Sequence, residues 1–175
     1  MNMRNAGRGL AQGALAATLL VSATAWAAES PGTNGTLYEM EVMGVAADPA
    51  SGAPVVYLRG KQDKRELSMF IGPFEAQGII LPLQGMQPPR PYTHDLMLGA
   101  MHRLQAKVKR VVITEMRDNT YFANLILDVQ GKEIVLDSRP SDAIALALRE
   151  NAPILAAEKA FVRAPRAGRP EGDNP

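Results

Sequence analysis

Asp137-Ser138-Arg139-Pro140-Ser141-Asp142-Ala143-Ile144-Ala145-Leu146-Ala147-Leu148-Arg149 is the stretch from which the rest of the chain can be read. Proline has no N–H to donate and a φ already suited to a helix, so Pro140 belongs in a first turn, where the missing donor costs nothing. Asp142 then falls among the free amides of that turn, which favour a negative charge. From Ala143 to Leu148 every residue is apolar. A helix with no polar face must be covered on all sides, so this one is expected at the centre of the fold, with its polar chemistry gathered at the amino end.

The residues before this helix read as three strands, Val111 to Glu115, Tyr121 to Val129 and Glu133 to Asp137, joined at Arg117-Asp118-Asn119 and Gln130-Gly131. The same grammar occurs earlier. Tyr38 to Val45 alternates apolar and polar residues, Val55 to Leu58 and Glu66 to Ile71 follow as a hairpin, and Gly72-Pro73-Phe74-Glu75-Ala76 opens a helix running to about Leu81, where Pro82 is expected to end or kink it. Sliding the chain by 67 residues lays Pro73 on Pro140 and Glu75 on Asp142. Between the two units, Thr93 is the expected N-cap of a helix whose Leu96, Met97, Ala100, Met101 and Leu104 recur at helical spacing and should face inward. Asn151 and Pro153 stop the last helix, and Ile154 to Val162 adds a short closing element. The expected fold is α+β: a single domain with a largely antiparallel sheet of hairpins, about three helices, and an internal duplication of a hairpin-helix unit.

Arg4 and Arg8, an apolar run from Leu10 to about Ala25, and Ala25-Trp26-Ala27 read as a secretory signal peptide. The run is shorter than the roughly 20 residues of a membrane-spanning helix. The expected organisation is therefore 1–27 signal peptide, 28–37 flexible lead-in, 38–162 folded domain and 163–175 disordered tail. The product would be exported, periplasmic or secreted, with no integral membrane anchor after cleavage. Removing 1–27 leaves 17 basic against 18 acidic residues, so no global field gathers nucleic acid and any such partner must meet a local patch. The chain has no cysteine, which excludes disulfides and thiolate metal sites.

Four motifs in the same order, Ile71-Gly72-Pro73-Phe74-Glu75-Ala76, Pro89-Arg90-Pro91-Tyr92-Thr93-His94-Asp95-Leu96, Arg110-Val111-Val112-Ile113 and Arg139 through Ala147, closely resemble the bifunctional nuclease domain family. The resemblance covers roughly Tyr38 to Val162 and implies hydrolysis of RNA and DNA. Gly78 and Pro82, which weaken the first helix, depart from the family pattern, as does Ser138, where alanine is usual.

Phosphodiester hydrolysis needs either hard oxygen ligands for Mg²⁺ or Mn²⁺, or an imidazole to move a proton. Glu75, Asp95, Asp137 and Asp142 are the acids at element ends, and of these Glu75, Asp137 and Asp142 are the expected ligands of a divalent cation. Asp142, His94 and Asp95 are the candidate catalytic residues, with a carboxylate fixing the imidazole tautomer. Arg139 and Arg90 are the candidate phosphate-binding residues, Arg139 because its guanidinium can grip an oxyanion through two parallel bonds. His102 lies eight positions from His94, about 12 Å along a helix, too far to share one phosphate, and reads as a solvated surface residue. Lys107, Lys109 and Arg110 read as a solvated strand edge. RNA or DNA is the expected substrate and a homo-oligomer the expected assembly. The competing class is a non-catalytic binding or assembly module of the cell envelope, making contact through Met86, Met97 and Met101.

Overall fold

A computed structural model describes residues 35–161. The expected signal peptide, most of the lead-in and the expected tail lie outside the described residues. The strands are β1 (Leu37–Ala47), β2 (Pro54–Gly60), β3 (Glu66–Phe70), β4 (Ala106–Arg117), β5 (Thr120–Val129), β6 (Lys132–Ser138) and β7 (Ile154–Ala157); the helices are α1 (Pro73–Leu83), α2 (Thr93–Arg103) and α3 (Pro140–Glu150), with a closing 3₁₀ turn at Glu158–Phe161. All seven strands form one sheet in the order β3-β2-β1-β7-β4-β5-β6. Every pairing is antiparallel except that of β4 with β7. This is the expected single α+β domain. No helix among the described residues is long and apolar enough to cross a membrane.

On one side of β7 the sheet runs outward β1, β2, β3 and then enters α1; on the other it runs outward β4, β5, β6 and then enters α3. Pro73 and Pro140 occupy like settings: each opens an eleven-residue helix after an extended residue, Gly72 or Arg139, that has no side-chain cap bond. Glu75 and Asp142 both sit in the first turn. The apolar run of α3 explains its place, since Ala143 through Leu146 and Ala147 are buried against Leu58, Ile79, Val111 and Ile113 in one core cluster.

Three local expectations are corrected. α1 continues through Pro82 to Leu83, because a proline this close to a helix end forfeits one bond without forcing a break. α2 begins at Thr93 with Tyr92 as its N-cap, and its inward face is not the apolar one counted from sequence: Leu98 is buried, Met101 half-buried, and Leu96, Met97 and Leu104 are exposed. Its inward surface carries His94 and Leu98, four positions apart, so polar residues with partners occupy places that apolar counting overlooks. Third, Lys107, Lys109 and Arg110 lie on β4, an interior strand between β7 and β5, and Lys109 and Arg110 both reach Glu133 of β6.

Candidate functional site

The first turns of α1 and α3 meet at Arg139. Its Nη1 donates to Glu75 Oε1 at 2.7 Å, while Nε and Nη2 donate to Asp142 Oδ2 and Oδ1 at 2.6 and 3.0 Å. One guanidinium thus joins the two equivalent acids of the structural repeat, and these bonds hold its own proton more tightly than usual. It remains 63% exposed. Beside it, Arg139, Glu75, Ser141 and Phe70 help line a cleft of about 670 Å³ between the end of β3 and the tip of the β4–β5 hairpin. Ser141, the buried polar residue of α3, belongs to the same first turn, whose amides have no intrahelical acceptor.

Behind Asp142 stands His94, only 13% exposed, with Nε2 at 3.2 Å from Asp142 Oδ1. Burial pushes the Asp142 carboxyl up, but Arg139 and then His94 outweigh burial and hold it below the ordinary carboxylate range. Asp142 is therefore ionised near neutrality and can only accept, so the bond between them is donated by the His94 Nε2–H.

Two residues that weaken α1 by propensity shape its contacts with α2 and α3. A Cβ on Gly78 would lie 2.8 Å from His94 Cε1 and 3.0 Å from Nδ1, so only glycine lets the imidazole lie against α1. Pro82 has no N–H to give the carbonyl four residues back, which is that of Gly78. Arg149 Nη1 takes that place, donating to Gly78 O at 2.7 Å and to Ala145 O at 2.8 Å, while its Nε donates to Asp95 Oδ1 at 2.6 Å. With its side chain 10% exposed, Arg149 ties α1, α2 and α3 together. Asp95 also accepts from the Tyr92 N–H at 2.9 Å. Burial raises the Asp95 carboxyl, but Arg149 and the Tyr92 amide together bring it below its ordinary value.

The sequence-derived candidates therefore separate. Glu75, Asp142, Arg139 and His94 come together. Asp95 opens the same helix as His94 but spends its carboxylate on Arg149 and its own helix cap. Asp137 stands apart, on an exposed position of edge strand β6 opposite Asn124. Arg90 is exposed in the connector before α2 and makes no ion pair among the described residues. Of the expected cation ligands, Asp137 does not converge with Asp142 and Glu75, and among the described residues no group of three or more histidines and acids is placed to hold a metal ion. Glu75 and Asp142 are instead satisfied by Arg139. His102, expected to be solvated, is half-exposed and lies 2.9 Å from Glu150, adding a bridge at the far end of α2 and α3. Sequence reading missed Arg149, for which the signal was the Gly78–Pro82 spacing that leaves a helix carbonyl without its donor.

Comparison with known proteins places these residues in context. The family model described as the bifunctional nuclease domain matches residues 56–166. An uncharacterized protein of Mycobacterium tuberculosis (strain ATCC 25618 / H37Rv) is 37% identical over 126 residues, covering 72% of this chain and 75% of the relative. Bifunctional nuclease 1 of Oryza sativa subsp. japonica is 35% identical over 98 residues, covering 53% of this chain and 30% of the plant protein.

Proposed function

Since this chain belongs to the bifunctional nuclease domain family, we propose that it hydrolyses phosphodiester bonds of RNA, DNA or both at the Arg139 cleft, with Asp142 as the proton acceptor. The observation that carries this reading is one exposed guanidinium held between two acids at the mouth of a cleft. An incoming phosphate competes with Glu75 and Asp142 for Arg139, because a bidentate grip on an oxyanion matches the one it makes on a carboxylate. The unpaired amides at the start of α3 add donors on the same side. As Arg139 turns to the phosphate, Asp142 loses the partner that most depresses its proton affinity and becomes a better base for water. His94 acts through Asp142, keeping Oδ1 in place while Oδ2 takes the proton.

A divalent cation, expected from the acids in the sequence, would have to draw Glu75 and Asp142 from Arg139. The donors as placed do not fit a ready-made cation site, since both carboxylates are already bonded to one guanidinium. The test is incubation of the purified protein with single- and double-stranded DNA and with RNA, in Mg²⁺, in Mn²⁺ and in EDTA, beside Asp142→Asn. Hydrolysis by the wild type and a loss of about 10²-fold or more in the folded variant supports the assignment. Full activity in folded Asp142→Asn removes it. Export with loss of residues 1–27 belongs to the same proposal and is checked by intact mass of the exported protein. Self-association, supported by the exposed Ile134 and Leu136 on edge strand β6, is checked by sedimentation. If no substrate is cut under any condition, the exposed apolar residues Leu96 and Met97 of α2 and Leu104 just after it favour the non-catalytic envelope module.

A further inference from the structure

A second cleft, of about 730 Å³, adjoins the first: Ser68 and Tyr121 line both. The two follow β3 from Glu66 to Phe70, about 17 Å of extended chain. Arg59 and Arg65 stand at one end of this trough and Arg139 at the other. Along it lie aromatic residues brought from distant parts of the sequence: Tyr57 of β2, Phe70 of β3, Tyr121 of β5 and Phe161. They are not equivalent. Phe161 is engaged, its ring meeting Tyr38 edge-on at 5.6 Å with the Arg65 guanidinium 5.3 Å from its centroid, and Tyr121 packs partly against the core. Tyr57 and Phe70 are free, 39% and 68% exposed. In the β2–β3 register Tyr57 pairs with Ser68 and Val55 with Phe70, which makes Tyr57 and Phe70 diagonal neighbours on one face, about 7 Å apart. A large ring left in water on a sheet face, twice and in a trough that ends at the exposed Arg139 guanidinium, calls for an occupant with flat apolar faces.

We propose that this trough binds single-stranded nucleic acid, with Tyr57 and Phe70 as platforms for two neighbouring unpaired bases and Arg139 receiving a backbone phosphate. This rests on the nuclease reading of the Arg139 cleft and names the strand state of its substrate. Aromatic stacking accepts any base, because every base has a π-face, whereas a duplex hides those faces inside its own stack. Arg59, Arg65 and Arg139 are matched by Glu66, Glu75 and the Asp142 that grips Arg139, so the trough carries no positive excess and base stacking must supply affinity that phosphate contacts do not. The free edge of β3 could instead pair with an extended peptide. Such pairing explains neither the outward-facing rings nor the continuity with Arg139.

The test is fluorescence anisotropy with a labelled oligothymidylate, an abasic strand of equal length and a blunt duplex, measured in EDTA, with hydrolysis of oligothymidylate followed separately. Tyr57→Ala and Phe70→Ala should each weaken oligothymidylate binding at least about fivefold, and the double variant by roughly the product, leaving abasic binding unchanged. Tyr57→Phe should bind as the wild type, and the emission of Tyr57→Trp should be quenched when oligothymidylate binds. If the alanine variants bind and cleave oligothymidylate like the wild type, the trough is overturned while the nuclease reading stands. Cleavage of duplex alone overturns it likewise. Displacement of the probe by an extended peptide, with the alanine variants unaffected, overturns it in favour of pairing at the β3 edge. Absence of both binding and cleavage of every nucleic acid by the wild type removes the nuclease reading and the trough together.

Discussion

Replacing Gly78 by alanine sets helix propensity against the site. Inside a helix the exchange gains about 1 kcal/mol, because glycine loses more backbone freedom on folding. Here the new Cβ would stand 2.8 Å from His94 Cε1, against about 3.5–4.0 Å for carbon atoms at rest, so the ring must retreat by roughly 0.7 Å or more. Ala145 Cβ, at 3.7 Å, is an ordinary neighbour and offers no obstacle. Retreat lengthens the 3.2 Å bond from His94 Nε2 to Asp142. A hydrogen bond to a charged acceptor contributes about 1.5–3 kcal/mol; because Asp142 is partly solvated, the lower end applies. The net expectation is a change between about zero and 1 kcal/mol destabilising, read as the urea midpoint, with hydrolysis slowed roughly tenfold because Asp142 loses its support. A cycle isolates the contact: in a His94→Ala background, where the ring is gone, Gly78→Ala should stabilise by the full ~1 kcal/mol. An equal stabilisation in both backgrounds, with activity untouched, would refute the argument that Gly78 exists to admit His94.

Arg149→Met keeps the stem of the side chain but removes the donors to Asp95, Gly78 O and Ala145 O. Breaking a buried charged pair costs about 3–5 kcal/mol; with Asp95 a third exposed, a loss of about 2–3 kcal/mol is expected, with faster amide exchange concentrated in α2. A urea midpoint equivalent to less than 0.5 kcal/mol of change, roughly the scale of an ordinary surface substitution, would show that Arg149 does not bind the helices together. The pH dependence has a definite sign. The Asp95 and Asp142 carboxyls lie below their ordinary value of 3.8 when folded, so the stability they lend is whole above that value and drains as pH falls through the lower folded values. Asp142→Asn removes one of these titrations, and its acid unfolding should be less steep than that of the wild type; equal steepness would mean that Asp142 contributes nothing to the acid limb. Restoring a donor with Pro82→Ala should pull the Gly78 carbonyl back into α1 and loosen Arg149, so the exchange should stabilise less in the wild type than in an Arg149→Met background. Equal gains in the two backgrounds would show that Arg149 is indifferent to Gly78 O.

Much of the fold was legible because its signals are local. Proline at a first helical position, alternation in β1 and β5, and an unbroken apolar run at Ala143–Leu148 each report a backbone preference that the tertiary structure had no reason to override. α2 was misread for the opposite reason. Its buried apolar contact is small, essentially Leu98 with Met101 beside it, and it is fastened by His94 to Asp142, Asp95 to Arg149 and His102 to Glu150. Hydrophobic periodicity cannot see a helix whose attachment is polar. The site was half legible: Asp142 and Arg139 are three residues apart and had to meet on one turn, whereas the distances from Glu75 to Arg139 and from His94 to Asp142 depend on how three helices pack. Asp137 was misplaced because closeness in sequence counts for little across a strand-to-helix turn that sends the two carboxylates different ways.

The two halves of the structural repeat also explain why the site is singular. Gly72 and Arg139 occupy the same position, the extended residue before each proline, yet only one carries a guanidinium. A side chain on Gly72 would strike the Glu75 carboxylate, which folds back to within 2.2 Å of where that Cβ would be. Glycine there lets Glu75 lie along the start of its own helix and accept from Arg139 of the other half, so that one arginine answers two acids. An arginine at both positions would neutralise each acid within its own half and leave no shared cation to yield to a phosphate. The asymmetry between Gly72 and Arg139, more than the symmetry of Glu75 with Asp142, is what turns two helix starts into one site.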